Sequence, residues 1–251
     1  NIEIMSDKKI EKKIFGYYSV IEAIKNKLPL QKIYLQSGYN KSNLLELLTS
    51  SNIPFSFVPE KKLSSLVKEN HKGIVAILSS IDFFELEEII KPDKKQVFLI
   101  LDGITDVRNF GAIIRSACGL GANGIIVAQN GSAPLNEVAI QASSGSAFNI
   151  PIIRVPHIKD SIYFFKANKV CVMACTEKAK NSVKSIDFNK SLAIVLGNEN
   201  KGISNGVVNL CDEKFKIPIS ESLDSYNVSV AAALVLYEYF RPVSYTHLTL
   251  P

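Results

Sequence analysis

The sequence predicts an α/β protein: a mainly parallel sheet with flanking helices, preceded by a smaller α/β unit. Three observations carry this reading. From Val97 onward, short apolar runs alternate with stretches of helical spacing, the pattern of strands joined by crossover helices. Three of these runs stop abruptly at polar loops. They are Leu101-Asp102-Gly103-Ile104-Thr105-Asp106-Val107-Arg108-Asn109, then Leu196-Gly197-Asn198-Glu199-Asn200-Lys201-Gly202, and then Ile217-Pro218-Ile219 leading to Asp224-Ser225-Tyr226-Asn227. Loops leaving buried strands are where open α/β sheets bind ligands. Finally, the first eighty residues show the same alternation with shorter elements.

Taken in order, residues 1–13 read as a charged leader. Val20, Ile21 and Ile24 predict a helix over 17–27, and residues 32–36 a short strand. Ser42 is placed to cap a helix carrying Leu44, Leu45, Leu47 and Leu48. Residues 53–58 predict a strand with Pro54 near its start, 63–69 a helix and 73–78 a third strand. Residues 1–80 are thus a first domain, and residues 81–96, acidic and then Lys-rich with Pro92, a linker. In the second domain, 97–242, strands are expected at 97–101, 124–128, 150–155, 169–175, 192–196 and 215–219. Helices are expected at 109–120, 134–142, 158–167, 203–210 and 228–241. Pro242 should end the last helix, and residues 243–251 continue no pattern and read as a non-native tail. No internal repeat is visible.

The chain has 251 residues, 47% of them hydrophobic, enough for one large or two modest cores. No apolar run approaches the roughly 20 residues that span a bilayer. The Lys-rich start has no signal-peptide core, so a cytoplasmic protein without a membrane partner is expected. The four cysteines, Cys118, Cys171, Cys175 and Cys211, form no C-x-x-C pair. Cys171 and Cys175 fall in an apolar run and are expected to be core thiols. The three histidines, His71, His157 and His247, are scattered, and no metal is expected. Net charge is +5. It divides evenly, with 15 Lys against 12 acids over residues 1–96 and 14 Lys plus Arg against 12 acids over 97–251. This permits contact with phosphates, yet suits any soluble protein.

Gly119-Leu120-Gly121-Ala122-Asn123-Gly124 matches G-x-G-x-x-G. A dinucleotide loop needs a strand before it and a helix after it. Here the order is reversed, so these glycines should end a helix and turn into a strand. That context disfavours a nicotinamide-dependent oxidoreductase.

Together the three polar loops resemble the SpoU-type (TrmH-like) RNA 2′-O-methyltransferases of the SPOUT superfamily, in the same order and spacing across nearly the whole second domain. Residues 106–115 match the first motif, with its Asn and Arg at Asn109 and Arg115. Leu196-Gly197-Asn198-Glu199 matches the second, with its Glu at Glu199, and Ser225-Tyr226-Asn227-Val228-Ser229 the third. A proline common after the first-motif Asp is Val107 here, and a leucine common before the third-motif Asn is Tyr226. More loosely, the first domain resembles the L30e-like substrate-binding module of some members. There His71-Lys72-Gly73 is similar to a His-Gln-Gly stretch, with Lys72 the departure.

The resemblance implies S-adenosylmethionine bound in a C-terminal trefoil knot, held largely by backbone at Leu196, Gly197, Ile217, Ile219, Tyr226 and Asn227. Glycine at 197 would let the main chain approach adenosine closely. It further implies methyl transfer to a ribose 2′-hydroxyl of structured RNA, most readily a guanosine of large-subunit ribosomal RNA, with transfer RNA as the alternative. Asn109, Arg115, Glu199, Ser225 and Asn227 become the catalytic candidates. The family assigns the activating role to the arginine. Since its pKa lies above about 12 it is an awkward base, and orienting a phosphate or stabilising charge on O2′ fits better. Family sites lie at homodimer interfaces, which implicates the last helix, although its Ala231, Ala232, Ala233, Leu234 and Leu236 would equally suit an internal core. Taken singly, each candidate has a plainer reading. Asn109, Asn227 and Ser229 are good helix caps, Glu199 suits a turn, and Arg115 suits an exposed helix face. A noncatalytic RNA-binding protein of the same fold is the remaining alternative.

Overall fold

Two separate sheets organise the chain, one in each of two units, Asn1–Asp82 and Phe83–Pro251. The computed structural model describes residues 13–25, 28, 30–78 and 83–241. The expected leader before Lys13 and the tail at 243–251 lie outside them.

The first unit runs β1 (Lys13–Phe15), α1 (Tyr17–Lys25), β2 (Leu30–Gln36), α2 (Ser42–Ser50), β3 (Phe55–Val58), α3 (Glu60–Leu66) and β4 (Ile74–Leu78). Its sheet order is β1-β4-β2-β3, with β4 antiparallel to both neighbours and β2 parallel to β3. Every residue of β4 is buried. One face packs Val20, Ile24, Leu44 and Leu48 against Ile33, Leu35, Ile74 and Ala76, and the other receives Leu63 and Val67. Lys13, expected in the leader, is instead the first residue of β1, paired with Ile77. Ser42 does not cap α2. Lys41 holds that position without a side-chain bond, and the Ser42 hydroxyl lies 3.5 Å from Asn43 Oδ1. His71 is buried, its Nδ1 accepting from Gly73 N at 3.1 Å and its Nε2 3.3 Å from Ser64 Oγ.

In the second unit the stretch read as a linker is ordered from Phe83. Phe84 N donates to Ile152 O at 3.0 Å. A short helix α4 (Leu86–Ile89) buries Ile89 in the main core. Buried Gln96 donates to Ile89 O at 2.9 Å. Then follow β5 (Val97–Asp102), α5 (Val107–Gly119), β6 (Gly124–Ala128), α6 (Glu137–Ala142), β7 (Ile152–Val155), α7 (Ile158–Ala167), β8 (Cys171–Cys175), β9 (Asn181–Ser182), β10 (Leu192–Gly197), α8 (Asn205–Val208), β11 (Glu213–Lys216) and α9 (Val228–Phe240). The seven strands are ordered β7-β6-β5-β10-β8-β11-β9, every pair parallel. Phe98, Ile100, Ile126, Val172 and Val195 fill one side with Ile162 and Phe165 of α7. Apolar runs buried on both faces are what a parallel sheet requires.

The glycine run behaves as its context foretold: α5 ends at Gly119, Gly121 adopts φ +76°, and β6 starts at Gly124. Elsewhere the bounds move. Asn136, not the region of Pro134, starts α6, its Oδ1 accepting from Val138 N and Ala139 N at 3.1 Å. The strand expected at 215–219 sits at Glu213–Lys216, leaving Ile217 and Ile219 beyond its end. Because all strands of the seven-stranded sheet run the same way, their C-terminal loops share one edge. In the register of β5 and β10, Asp102 stands opposite Gly197, which sets the first two polar loops side by side. Among the described residues, no helix is long and apolar enough to cross a membrane.

Candidate functional site

Each of the three loops is fixed by its own short hydrogen bonds, and the fixing leaves particular side chains free to meet. At the start of α5, Asp106 is the cap, its Oδ1 accepting from Asn109 N at 2.7 Å. The plain reading of Asn109 as a cap is therefore displaced. Its amide is free, and Nδ2 donates to Glu199 Oε1 at 2.8 Å, ninety residues further along the chain. Asn109 Oδ1 accepts from Asn227 Nδ2 at 3.1 Å. Asn227 is itself the cap of α9, its Oδ1 accepting from Ser229 N at 2.9 Å and Ser229 Oγ at 2.6 Å. A carboxylate can only accept, so Glu199 fixes which end of the Asn109 amide faces it. The direction passes on to Asn227 and into the helix.

The second loop is closed by main chain. Asn198 and Gly202 exchange backbone bonds at 3.1 and 2.8 Å. Asn198 Oδ1 accepts from Asn200 N and Lys201 N at 2.9 and 3.1 Å, while its Nδ2 donates to Gly103 O at 2.9 Å. Asp102 Oδ2 accepts from Ser204 N at 2.7 Å, a second tie between the first and second loops. A Cβ at residue 197 would collide with the backbone of Gly202 and Ile203. Glycine is thus needed for the loop's own closure, a reason different from the expected approach to adenosine. In the third loop, Tyr226 Oη donates to Pro218 O at 3.0 Å, pinning the start of the loop to its end.

The second and third loops and the end of β8 enclose a cavity of about 460 Å³. Of the expected cofactor residues, Leu196, Gly197, Ile217, Ile219 and Tyr226 line it, as do Glu199 and Ser225 from the catalytic set. Asn227 and Asn109 are not in the lining, but they reach it through Glu199. Arg115 is exposed on α5 and stands outside the lining. The sequence reading missed Thr176, Glu177 and Lys178, which follow β8 and line the cavity. It also missed Asp224 in the third loop. The signal was present, since a buried strand breaks into polar residues there too. Cys175 also lines the cavity, and burial pushes its thiol up to about 12, with Glu177 adding to the effect. It stays neutral. The described cysteines are all free. Among the described residues no group of three or more His, Cys, Asp or Glu is arranged to hold a metal.

The chain is similar to known proteins over most of its length. Residues 96–237 match the SpoU rRNA methylase family, and residues 13–83 match a family described as RNA 2′-O ribose methyltransferase substrate binding. A Staphylococcus aureus (strain COL) protein, named to the TrmH family of tRNA/rRNA methyltransferases, is 33% identical over 235 residues, 91% of this chain and 95% of its own. The similarly named YacO of Bacillus subtilis (strain 168) is 32% identical over 91% of this chain and 94% of its own. Among solved structures, the SpoU methyltransferase AviRb of Streptomyces viridochromogenes, in complex with AdoMet, superposes with a TM-score of 0.70. It is 26% identical and covers 92% of this chain and 90% of that one. An AdoMet-bound rRNA methyltransferase of Sinorhizobium meliloti gives a TM-score of 0.67 at 25% identity, over 92% and 87%.

Proposed function

The chain belongs to the SpoU rRNA methylase family, and from that premise we propose that it methylates a ribose 2′-hydroxyl of structured RNA with S-adenosylmethionine. A guanosine of large-subunit ribosomal RNA is the favoured target. Transfer RNA is the second reading, favoured by the tRNA/rRNA names of its relatives. The knotted C-terminal backbone and work in the cytoplasm belong to the same proposal. The observation that carries it is the hydrogen-bonded line from Glu199 through Asn109 to Asn227 at the rim of the cavity.

The residues present suit the cofactor. A volume of about 460 Å³ falls in the range of small-molecule pockets. Leu196, Ile217 and Ile219 offer apolar walls between polar main-chain groups, as an adenine ring needs. Glu177, Glu199 and Asp224 offset the positive charge of a sulfonium and an ammonium. Bound there, S-adenosylmethionine supplies a methyl group activated by its sulfonium.

The chain must then present and activate a hydroxyl, a poor nucleophile while neutral. Arg115 is the group suited to hold the target phosphate and steady negative charge growing on O2′. It stands outside the cavity of its own chain, so the reading has it complete the cavity of a second copy. Helix α9 supplies a matching contact. Val230, Leu234 and Tyr237, spaced along one helical face, are 45%, 36% and 56% exposed, and α9 packs beside α5, which carries Arg115. Asn109 and Glu199 keep the rim in register, and Ser225 shapes the loop against the substrate.

The test is transfer of labelled methyl to RNA from cells lacking the protein, with 2′-O-methyl sites then mapped. A single protected ribose is expected. Label found on a base, or no calorimetric binding of S-adenosylmethionine, would sink the reading. Arg115→Ala should lower kcat by about 100-fold, and mixing it with inactive Glu199→Ala should restore part of the activity through hybrid dimers. Failure of that rescue would place Arg115 in its own chain's site.

A further inference from the structure

Helix α9 begins at the site just described and ends at a second recess. There Lys95, residues 183–189 and the last turn of α9 enclose about 910 Å³. Its wall is aromatic. The Tyr239 ring is met edge-on by Phe240 at 4.9 Å and by Phe188 at 6.0 Å between centroids. Tyr239 is only 5% exposed, and its hydroxyl has no hydrogen-bond partner among the described residues. Buried polar groups are nearly always satisfied, so an orphan of this kind calls for a missing acceptor. Burial pushes this phenol up to about 12, which keeps its proton available for donation. The rim is cationic. Lys95 Nζ lies 4.6 Å from the Tyr239 ring centroid, and Lys184 and Arg241 are exposed beside it. Two acids face the same space, Asp187 and Glu238, and Glu238 is tied to Arg241 at 2.9 Å. Among the described residues, Lys95 and Lys184 form no ion pair with a carboxylate.

We propose that this recess holds an unpaired nucleotide of the RNA being methylated, its base against Phe240, which is 43% exposed, and its phosphate at Lys95 and Lys184, with the Tyr239 hydroxyl donating to it. Aromatic faces interleaved with lysines are the combination that binds single strands, because every base offers a π-face and every nucleotide a charge. A base-paired nucleotide has no free face to offer. From Ala231, which lines the first cavity, to Arg241 at the second, α9 rises about 15 Å. A few nucleotides span that distance. This inference rests on the RNA methyltransferase reading and adds a second point of contact to it.

The experiment uses the full chain and a short single-stranded RNA carrying 4-thiouridine, with its fully paired duplex as comparator. Photocrosslinks to the single strand should map by mass spectrometry to peptides containing 183–189 or 238–241, and the duplex should give none there. Binding measured by fluorescence anisotropy should weaken about 5-fold in Tyr239→Phe, which keeps the ring and its packing and loses only the donor. The pair Lys95→Ala and Lys184→Ala should lower the salt dependence of binding by roughly one unit per lysine. Single-strand crosslinks confined to other peptides, equal labelling by the duplex, or an unchanged salt slope would overturn the proposal. Calorimetry with S-adenosylmethionine runs alongside. Loss of that binding in the wild-type chain defeats the methyltransferase reading, while the crosslinks decide the recess independently.

Discussion

The two ends of α9 treat their polar groups in opposite ways. At its start, the side chains of Glu199, Asn109, Asn227 and Ser229 are joined by bonds of 2.6 to 3.1 Å, and the helix cap is one link of the line. At its end, Tyr239 is buried, whereas Glu199 and Asn227 are exposed, and its hydroxyl has no hydrogen-bond partner among the described residues. A saturated network holds a geometry. An unsaturated one leaves a bond to be made by whatever arrives. The comparison teaches that one helix can position at one end and receive at the other.

The largest effect should come from cutting the saturated end. Glu199→Ala removes the acceptor that holds the Asn109 amide at the rim, and single-turnover methyl transfer should fall by about 100-fold, with Tm close to wild type. A wild-type rate would show that the line is scaffolding alone. Next, Asn227 has two duties that substitution can separate. Asn227→Ala should cost about 1 kcal/mol through the lost cap and about 10-fold in kcat. Asn227→Ser keeps a capping oxygen but cannot reach Asn109, so it should hold Tm and lose the same activity. Third, Gly111→Ala tests stability without touching either end. Its Cβ would sit 2.5 Å from Ala142 Cβ and 2.6 Å from Ala139 O, a clash worth about 1–3 kcal/mol. Thermal unfolding should register it, and activity per folded molecule should hold. The smallest effect is on pH dependence. Each end hides one neutral acid, Cys175 and Tyr239, both raised to about 12 from 9.0 and 10.0. Unfolding frees them to ionise sooner, so they leave stability untouched below pH 9 and erode it as pH climbs from 9 toward 12. Cys175→Ala and Tyr239→Phe should each flatten the alkaline fall in Tm.

The strands and helices that the sequence reveals best are those with enough residues to show a period. Residues 124–128 and 158–167 form β6 and α7 at their expected bounds. β1 and β9 were missed, since strands of three and two residues at sheet edges have no alternation to read. β11 shifted because Glu213-Lys214-Phe215-Lys216 buries only Phe215 and looks polar, whereas the apolar Ile217-Pro218-Ile219 after it looks like the strand. The three loops stood out as polar residues where packing would prefer apolar ones. Their pairing did not, because Asn109 meets partners 90 and 118 residues away. Which residue caps α5 was equally hidden: Asp106 and Asn109 are both good candidates by type, and only the fold decides. The aromatic recess left no trace at all, being assembled from Lys95, a loop and a helix end with no shared motif.

The closure of the second loop has an evolutionary consequence. Where residue 197 abuts Gly202 and Ile203, main chain presses on main chain and no side chain fits between. That part of the floor is therefore indifferent to drift in the surrounding side chains. Ile217 and Ile219, half-buried beyond the end of β11, can be exchanged for larger or smaller neighbours at less cost than Leu196, which is buried in β10, while the platform beneath survives. A lineage built this way can diversify what it accepts without first relearning how to fold.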